Sequence, residues 1–196
     1  MVGGVLLLLR ADAMPTTELR LPLPDTAELV PLSYLSRDPA ADIAYPQRVR
    51  SMAKVPAARL DPMKQRYHAG LTLWAGQLSA HIEAPVSAVV SPPSDHPELT
   101  SPYRDALLRA FPDAVDLTDR LVRSGSARAG QGAKYEELLA ALDYTPRGDE
   151  GGFAGIVIVD DAVTTGTTAA ALVTCLRNGG VPQTASFRIA APLWLR

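Results

Sequence analysis

The most regular stretch of this chain is the apolar run from Ala154 to Val159, in which every residue from Ile156 onward is β-branched. A strand wetted on one side alternates apolar and polar residues; an unbroken β-branched run marks a strand covered on both faces, as in a parallel sheet. Shorter runs over 86–91, 114–118 and 184–190 predict further strands. Between them the apolar spacing changes to three and four. Ser101-Pro102 opens a helix with Leu107, Ala110 and Phe111 as its apolar face, ended by Pro112. A second helix is predicted over 134–142. A third follows the turn after Val159 and runs to Asn178, where Gly179-Gly180 stops it. Strand alternating with helix means an α/β fold with a mainly parallel, twisted sheet flanked by helices.

Upstream of residue 85 the pattern is different. Asp61 is a good N-cap with Pro62 behind it, and Met63, Tyr67, Leu71, Trp74, Leu78 and Ile82 then recur as one helical stripe. Residues 28–35 have strand-like content, which Pro31 confines to a sheet edge. Residues 1–27 and 37–60 are punctuated by proline and read as an arm and a loop. The chain therefore divides into an N-terminal arm and helical segment over 1–84 and an α/β core over 85–196, packed as one compact unit.

Composition narrows the function classes. A chain of 196 residues with 47% hydrophobic and 20% charged residues is globular and can bury a core. A formal charge of −2 gives no reason to expect general nucleic-acid affinity, so any basic surface is local. The one local cluster is Arg48, Arg50, Lys54, Arg59, Lys64 and Arg66, relieved only by Asp61: a phosphate or nucleic-acid patch on one reading, an ordinary solvated face on the other. Cys175 is the only cysteine, which excludes an internal disulfide and a multi-cysteine zinc site and suits a reducing compartment. Its position beside Leu172 and Leu176 suggests core packing. The apolar run from Val5 to Leu9 is too short for export or a membrane span, so a cytoplasmic protein without membrane contact is expected, with Met14 an equally good start as Met1. His68, His81 and His96 lack metal-ligand spacing; only His96 lies near the segment that carries chemistry.

That segment runs from Ile156 to Thr168. A buried strand ends in Asp160 and Asp161, at the C-terminal edge where open α/β sheets bind ligands. A turn with Thr164, Thr165, Gly166, Thr167 and Thr168 follows, and then a helix begins. Helix N-termini present unpaired N–H groups and a partial positive charge that attract phosphate, threonine hydroxyls add donors, and a glycine lets amides converge. Two acids beside a phosphate cradle repel an anion, unless they address a neutral neighbour of it. Ribose supplies one, because its 2- and 3-hydroxyls donate to carboxylates while its 5-phosphate lies at the other end of the sugar.

Four apolar residues, two acids, two apolar residues and Thr-Thr-Gly-Thr-Thr resemble the phosphoribosyl pyrophosphate motif of type I phosphoribosyltransferases, with Ala162 where a larger aliphatic residue is usual. The resemblance implies that fold, with a small N-terminal hood before Pro85. It places Asp160 and Asp161 on the ribose hydroxyls and Thr164 to Thr168 around the 5-phosphate. It places Ser91 and Ser94, after the first core strand, at pyrophosphate, although Ser91-Pro-Pro-Ser94 has neither the glycine nor the cation that often help there. It implies a mobile catalytic loop over 124–132, with Arg128 as the closing cation ahead of Arg104 and Lys134. Magnesium would be bridged by substrate and water near Asp160 and Asp161, with no organic cofactor and no zinc. The order of pieces is similar to the ComF-like branch.

Two functions follow from the resemblance. One is a phosphoribosyltransferase of nucleotide metabolism that moves phosphoribose to a nucleobase-like acceptor and releases pyrophosphate. The alternative is a non-catalytic sensor of a nucleotide or ribose phosphate, or a nucleic-acid-associated protein, using the same pocket. A homodimer is open, with Trp194 as a candidate contact.

Overall fold

A computed structural model describes residues 29–31, 79, 82, 85–95, 97, 100–125, 132–163, 165–191 and 193–194. In chain order its elements are β1 (Leu29–Pro31), β2 (Ala88–Val90), α1 (Ser101–Ala110), β3 (Val115–Asp116), β4 (Leu121–Arg123), α2 (Tyr135–Ala140), β5 (Leu142–Tyr144), β6 (Gly155–Val159), β7 (Ala162–Val163), α3 (Thr167–Asn178), β8 (Ser186–Ala190) and β9 (Leu193–Trp194).

Five of the strands form one parallel sheet in the order β1-β8-β6-β2-β3. β6 lies in the middle, and its β-branched run is buried throughout, as a strand covered on both faces requires. Ile156 and Ile158, with Phe187, Ile189, Ala88 and Val90, belong to the core that includes Leu172, Val173 and Leu176 of α3. The alternate residues Val89, Val157, Val159 and Ala190 point the other way and are buried as well. Parallel neighbours need crossover connections, and helices fill that role here.

Among the described residues Pro31 is at the sheet edge, where a missing N–H is tolerated: β1 pairs there with β8 alone, and in doing so gives the sheet a strand from well before residue 85. α3 ends at Asn178, with the Gly180 amide donating to the Arg177 carbonyl at 3.0 Å and Gly180 at φ +105°, a conformation that favours glycine.

Several local expectations need correction. α1 buries Pro102, Ala106 and Leu107 rather than the set Leu107, Ala110 and Phe111; Ala110 shares that face by angle but is exposed, so the last turn runs past what it packs on. The strand expected over 114–118 is only Val115–Asp116, because the Asp116 carboxylate accepts the Thr118 N–H at 2.9 Å and turns the chain into a short 3-10 helix. The helix expected over 134–142 stops at Ala140, and Leu142 instead begins β5, which pairs antiparallel with β4. Beyond β8 the chain adds β9, parallel to β7. Among the described residues no helix is long and apolar enough to cross a membrane. Of the Met63 to Ile82 stripe only Ile82 is described, and it is buried. Apart from residues 29–31, 79 and 82, the segment 1–84 expected to form the arm and hood, with its basic cluster over 48–66, lies outside the described residues.

Cys175 is buried in the α3 core, with its thiol 3.6 Å from the Leu142 carbonyl. Burial, aided by the charge of Asp143, pushes the thiol up to about 11. At pH 8 the thiolate fraction is then about a hundredfold below that of a free cysteine, so native protein resists iodoacetamide while unfolded protein reacts promptly. Equal alkylation rates with and without denaturant would refute this.

Candidate functional site

The site is a strand-to-helix junction. Asp160, half-buried, donates its N–H to the Ala190 carbonyl at 3.1 Å, the last ladder bond between this part of the chain and β8. The chain then leaves the sheet. The Asp161 amide folds back to donate to the Asp160 carboxylate at 2.8 Å, and Asp161 itself is buried. This turn ties the Asp160 carboxylate to the backbone directly after the strand.

After β7 comes the helix start. Gly166 is the residue before the first helical position, at φ +76°, a backbone that L side chains rarely adopt, and its carbonyl accepts the Ala170 N–H at 2.9 Å. Thr165 Oγ1 lies 2.6 Å from Thr167 Oγ1, which brings two hydroxyls together at the mouth of α3. The amides of Thr167, Thr168 and Ala169 open the helix and have no i−4 carbonyl within it. No acidic side chain occupies that first turn, so the partial positive charge of the helix is unopposed locally.

β2 brings a second loop to the same edge. The register of β2 on β6 puts Ser91 level with Val159, one position before Asp160. The Ser91 N–H donates to Thr118 Oγ1 at 3.0 Å, but its Oγ, in a residue only 2% exposed, has no hydrogen-bond partner among the described residues. An unpaired buried hydroxyl costs about 1–3 kcal/mol and is a ready contact for a bound polar group. Ser94 follows on the exposed part of this loop.

Chemistry of the site is therefore divided between two loops at one edge of the sheet. No protein-family model and no curated protein matches this chain. The residues themselves must carry the reading. Asp160 and Asp161 stand at the C-terminal end of β6 and Ser91 at that of the adjacent β2, with Ser94 three residues further along its loop, while Thr165, Gly166, Thr167 and Thr168 follow β7 at the start of α3. Thr164, His96 and Arg128 lie outside the described residues. Arg104 is committed elsewhere, to Asp105 at 2.8 Å and Asp116 at 3.5 Å, and Lys134 is exposed at the start of α2.

One functional candidate escaped sequence reasoning. Arg123, at the end of β4, donates to the Pro93 carbonyl at 3.2 Å and to the Asp95 carboxylate at 2.8 Å. The loop from Ser91 to Ser94 lacks a cation of its own, and the fold docks one onto it from thirty residues away. No local signal reveals this, since the contact depends on the unforeseen β4–β5 pair.

Among the described residues no group of three or more His, Cys, Asp or Glu could hold a metal ion. Asp160 and Asp161 are the carboxylates at the end of β6.

Proposed function

We propose that this chain has a type I phosphoribosyltransferase-like fold and binds a ribose 5-phosphate compound, foremost phosphoribosyl pyrophosphate, at the junction between β6 and α3. The observation that carries the reading is the sequence of chemistries along that junction: a buried strand, two carboxylates held at its end, and then a glycine-capped helix start with clustered threonine hydroxyls. Carboxylates accept from the ribose diol, and the helix amides and hydroxyls donate to the 5-phosphate, so one small sugar satisfies both ends.

In the reaction, the lone pair of an acceptor nitrogen forms a bond to C1 of the ribose while the C1–O bond to pyrophosphate breaks. Pyrophosphate leaves with the bonding electrons, and the proton on the acceptor nitrogen passes to solvent or to the leaving group. The protein's part is positioning and charge stabilisation. Asp160 and Asp161 fix the ring, the α3 start fixes the 5-phosphate, and Ser91, Ser94 and Arg128 are assigned to the leaving pyrophosphate. Magnesium bound with the substrate would neutralise charge on the pyrophosphate, held through water near Asp160 and Asp161.

A sensor without turnover is the second reading, and a specific observation favours it. Asp95 places a carboxylate directly after the Ser91 to Ser94 loop, on the cation that would otherwise be free for pyrophosphate. Calorimetry with phosphoribosyl pyrophosphate, with and without magnesium, followed by pyrophosphate release against a nucleobase panel, separates the two. Magnesium-dependent binding with release on addition of one base is the expected result. Binding of a nucleoside monophosphate without release would establish the sensor, and failure to bind any ribose 5-phosphate compound would remove both readings.

A further inference from the structure

The ladder between β2 and β3 is extended at its end by a side chain. The Val115 N–H donates to the Ser87 carbonyl at 3.0 Å, and the Leu117 N–H to the Val89 carbonyl at 2.9 Å. Parallel pairing spaces such bonds evenly, so in this register the Ser91 N–H is next to donate, and its ladder acceptor is the Leu117 carbonyl. That carbonyl has turned into the 3-10 helix over Thr118–Arg120, where it accepts the Arg120 N–H at 3.1 Å. The Thr118 hydroxyl stands in for it, with Oγ1 accepting the Ser91 N–H at 3.0 Å. The substitution falls at the residue where β2 enters the candidate site.

Thr118 is itself held in place. Its N–H donates to one oxygen of the Asp116 carboxylate at 2.9 Å, and the Arg104 guanidinium of α1 lies 3.5 Å from the other oxygen. Polar contacts therefore run without a break from α1 through Asp116 and Thr118 to the Ser91 backbone. Five residues after Thr118, Arg123 holds the far end of the same loop through the Pro93 carbonyl and the Asp95 carboxylate. With the Ser91 amide committed to Thr118, the residue's hydroxyl is what it has left to donate. That hydroxyl is buried and has no partner among the described residues. A buried donor in this state is satisfied by a polar group that arrives from outside.

We infer that Thr118 is a positioning residue for the pyrophosphate part of the ligand: its hydroxyl fixes the Ser91 backbone and so sets where the Ser91 hydroxyl meets a phosphate oxygen. This rests on the reading of the site as one for phosphoribosyl pyrophosphate, with Ser91 at the pyrophosphate. The division of the site between two loops gives the role a signature. Ser91 and Thr118 follow β2 and β3, whereas the diol and 5-phosphate contacts follow β6 and open α3. Disturbing Thr118 therefore weakens ligands that carry pyrophosphate and spares ribose 5-phosphate.

Thr118→Val tests this in the full chain, because valine keeps the branched shape and removes the acceptor. Thr118→Ala covers the case in which the valine variant fails to fold, and Thr118→Ser returns the hydroxyl. Affinities for phosphoribosyl pyrophosphate and for ribose 5-phosphate are measured by calorimetry with magnesium, together with melting temperature and exchange of the Ser91 amide by NMR. The expected result is a loss of about tenfold or more for phosphoribosyl pyrophosphate, the size of one hydrogen bond to a charged group. Ribose 5-phosphate should bind as it does to the parent, the Ser91 amide should lose its protection, and serine should restore both. A merely structural threonine would lower the melting temperature and leave the ratio of the two affinities unchanged. That unchanged ratio overturns the inference, and so does a Ser91 amide that exchanges in the parent at the rate of an open loop. A parent chain that binds neither compound overturns the site reading and takes the ligand role of Thr118 with it, while the exchange measurement still decides whether Thr118 holds the loop.

Discussion

Replacing Asp160 and Asp161 together by asparagine is expected to abolish the proposed ribose 5-phosphate binding and to leave the fold in place. On the proposed reading each carboxylate accepts from a ribose hydroxyl, and a hydrogen bond to a charged group contributes about 1.5–3 kcal/mol, so the pair is expected to account for at least a hundredfold in affinity. Asparagine is nearly isosteric with aspartate and retains a carbonyl oxygen to accept the Asp161 amide, so the turn at the end of β6 has no reason to unwind. The comparison to make is therefore affinity against melting temperature. Affinity should fall by about two orders of magnitude or more, with a change of only a few degrees in melting. The single variants divide the effect: Asp160 is half-buried and closes the ladder, whereas Asp161 is buried. A double variant that binds the sugar phosphate as well as the parent would leave the site without its diol contact.

What the sequence discloses about this fold depends on how local the cause is. β6 is legible because four successive β-branched residues have one meaning, and the end of α3 because Gly179-Gly180 stops a helix whatever surrounds it. The acids and the threonine turn are legible for the same reason, since a strand, a turn and a helix start lie contiguous in sequence. β4 and β5 are three residues each, too short to display a period, and their pairing across 19 positions at the near end is a tertiary event. Arg123 on Pro93 and Asp95 inherits that invisibility. So does the β7–β9 pair, which is two residues on each strand and 31 positions apart in the sequence. Asp116 misleads in the opposite direction, because its side chain competes with the ladder for the Thr118 amide and ends a strand that apolar content alone extends.

The largest stability effect is expected far from the acids, at Arg120. Its guanidinium is 4% exposed and donates to both oxygens of Asp149 and to Glu150 at 3.1 Å, while resting over the Phe153 ring at 5.9 Å. Glu150, also buried, gathers the Tyr144 hydroxyl at 2.9 Å and the amides of Arg147 and Gly148, each at 2.8 Å. This network ties the 3-10 turn after β3 to the turn that leads into β6, and so fixes where the central strand enters the sheet. Arg120→Leu leaves Glu150 buried without its cation. Removing one partner of a buried pair costs about 3–5 kcal/mol, with the lower end fitting here because Asp149 is largely exposed and screened. At about 2–4 °C per kcal/mol, the melting temperature should fall by roughly 6–12 °C.

The same network sets a pH dependence. Burial pushes the Glu150 carboxyl up, but the Arg147 and Gly148 amides and the Tyr144 hydroxyl outweigh it, so the group ends below its ordinary 4.5. A carboxyl lowered by folding stabilises the protein above 4.5, and that stability is lost as pH falls through the folded value. Burial and the bond to Glu150 raise Tyr144 to about 12, so its contribution is present below 10 and lost as pH rises through 12. Glu150→Gln should therefore be less stable than the parent at pH 7 and lose less on acidification, while the parent minus Tyr144→Phe phenolate absorbance should develop only near pH 12. Parallel acid limbs for parent and Glu150→Gln would show that the carboxylate is not what the amides hold.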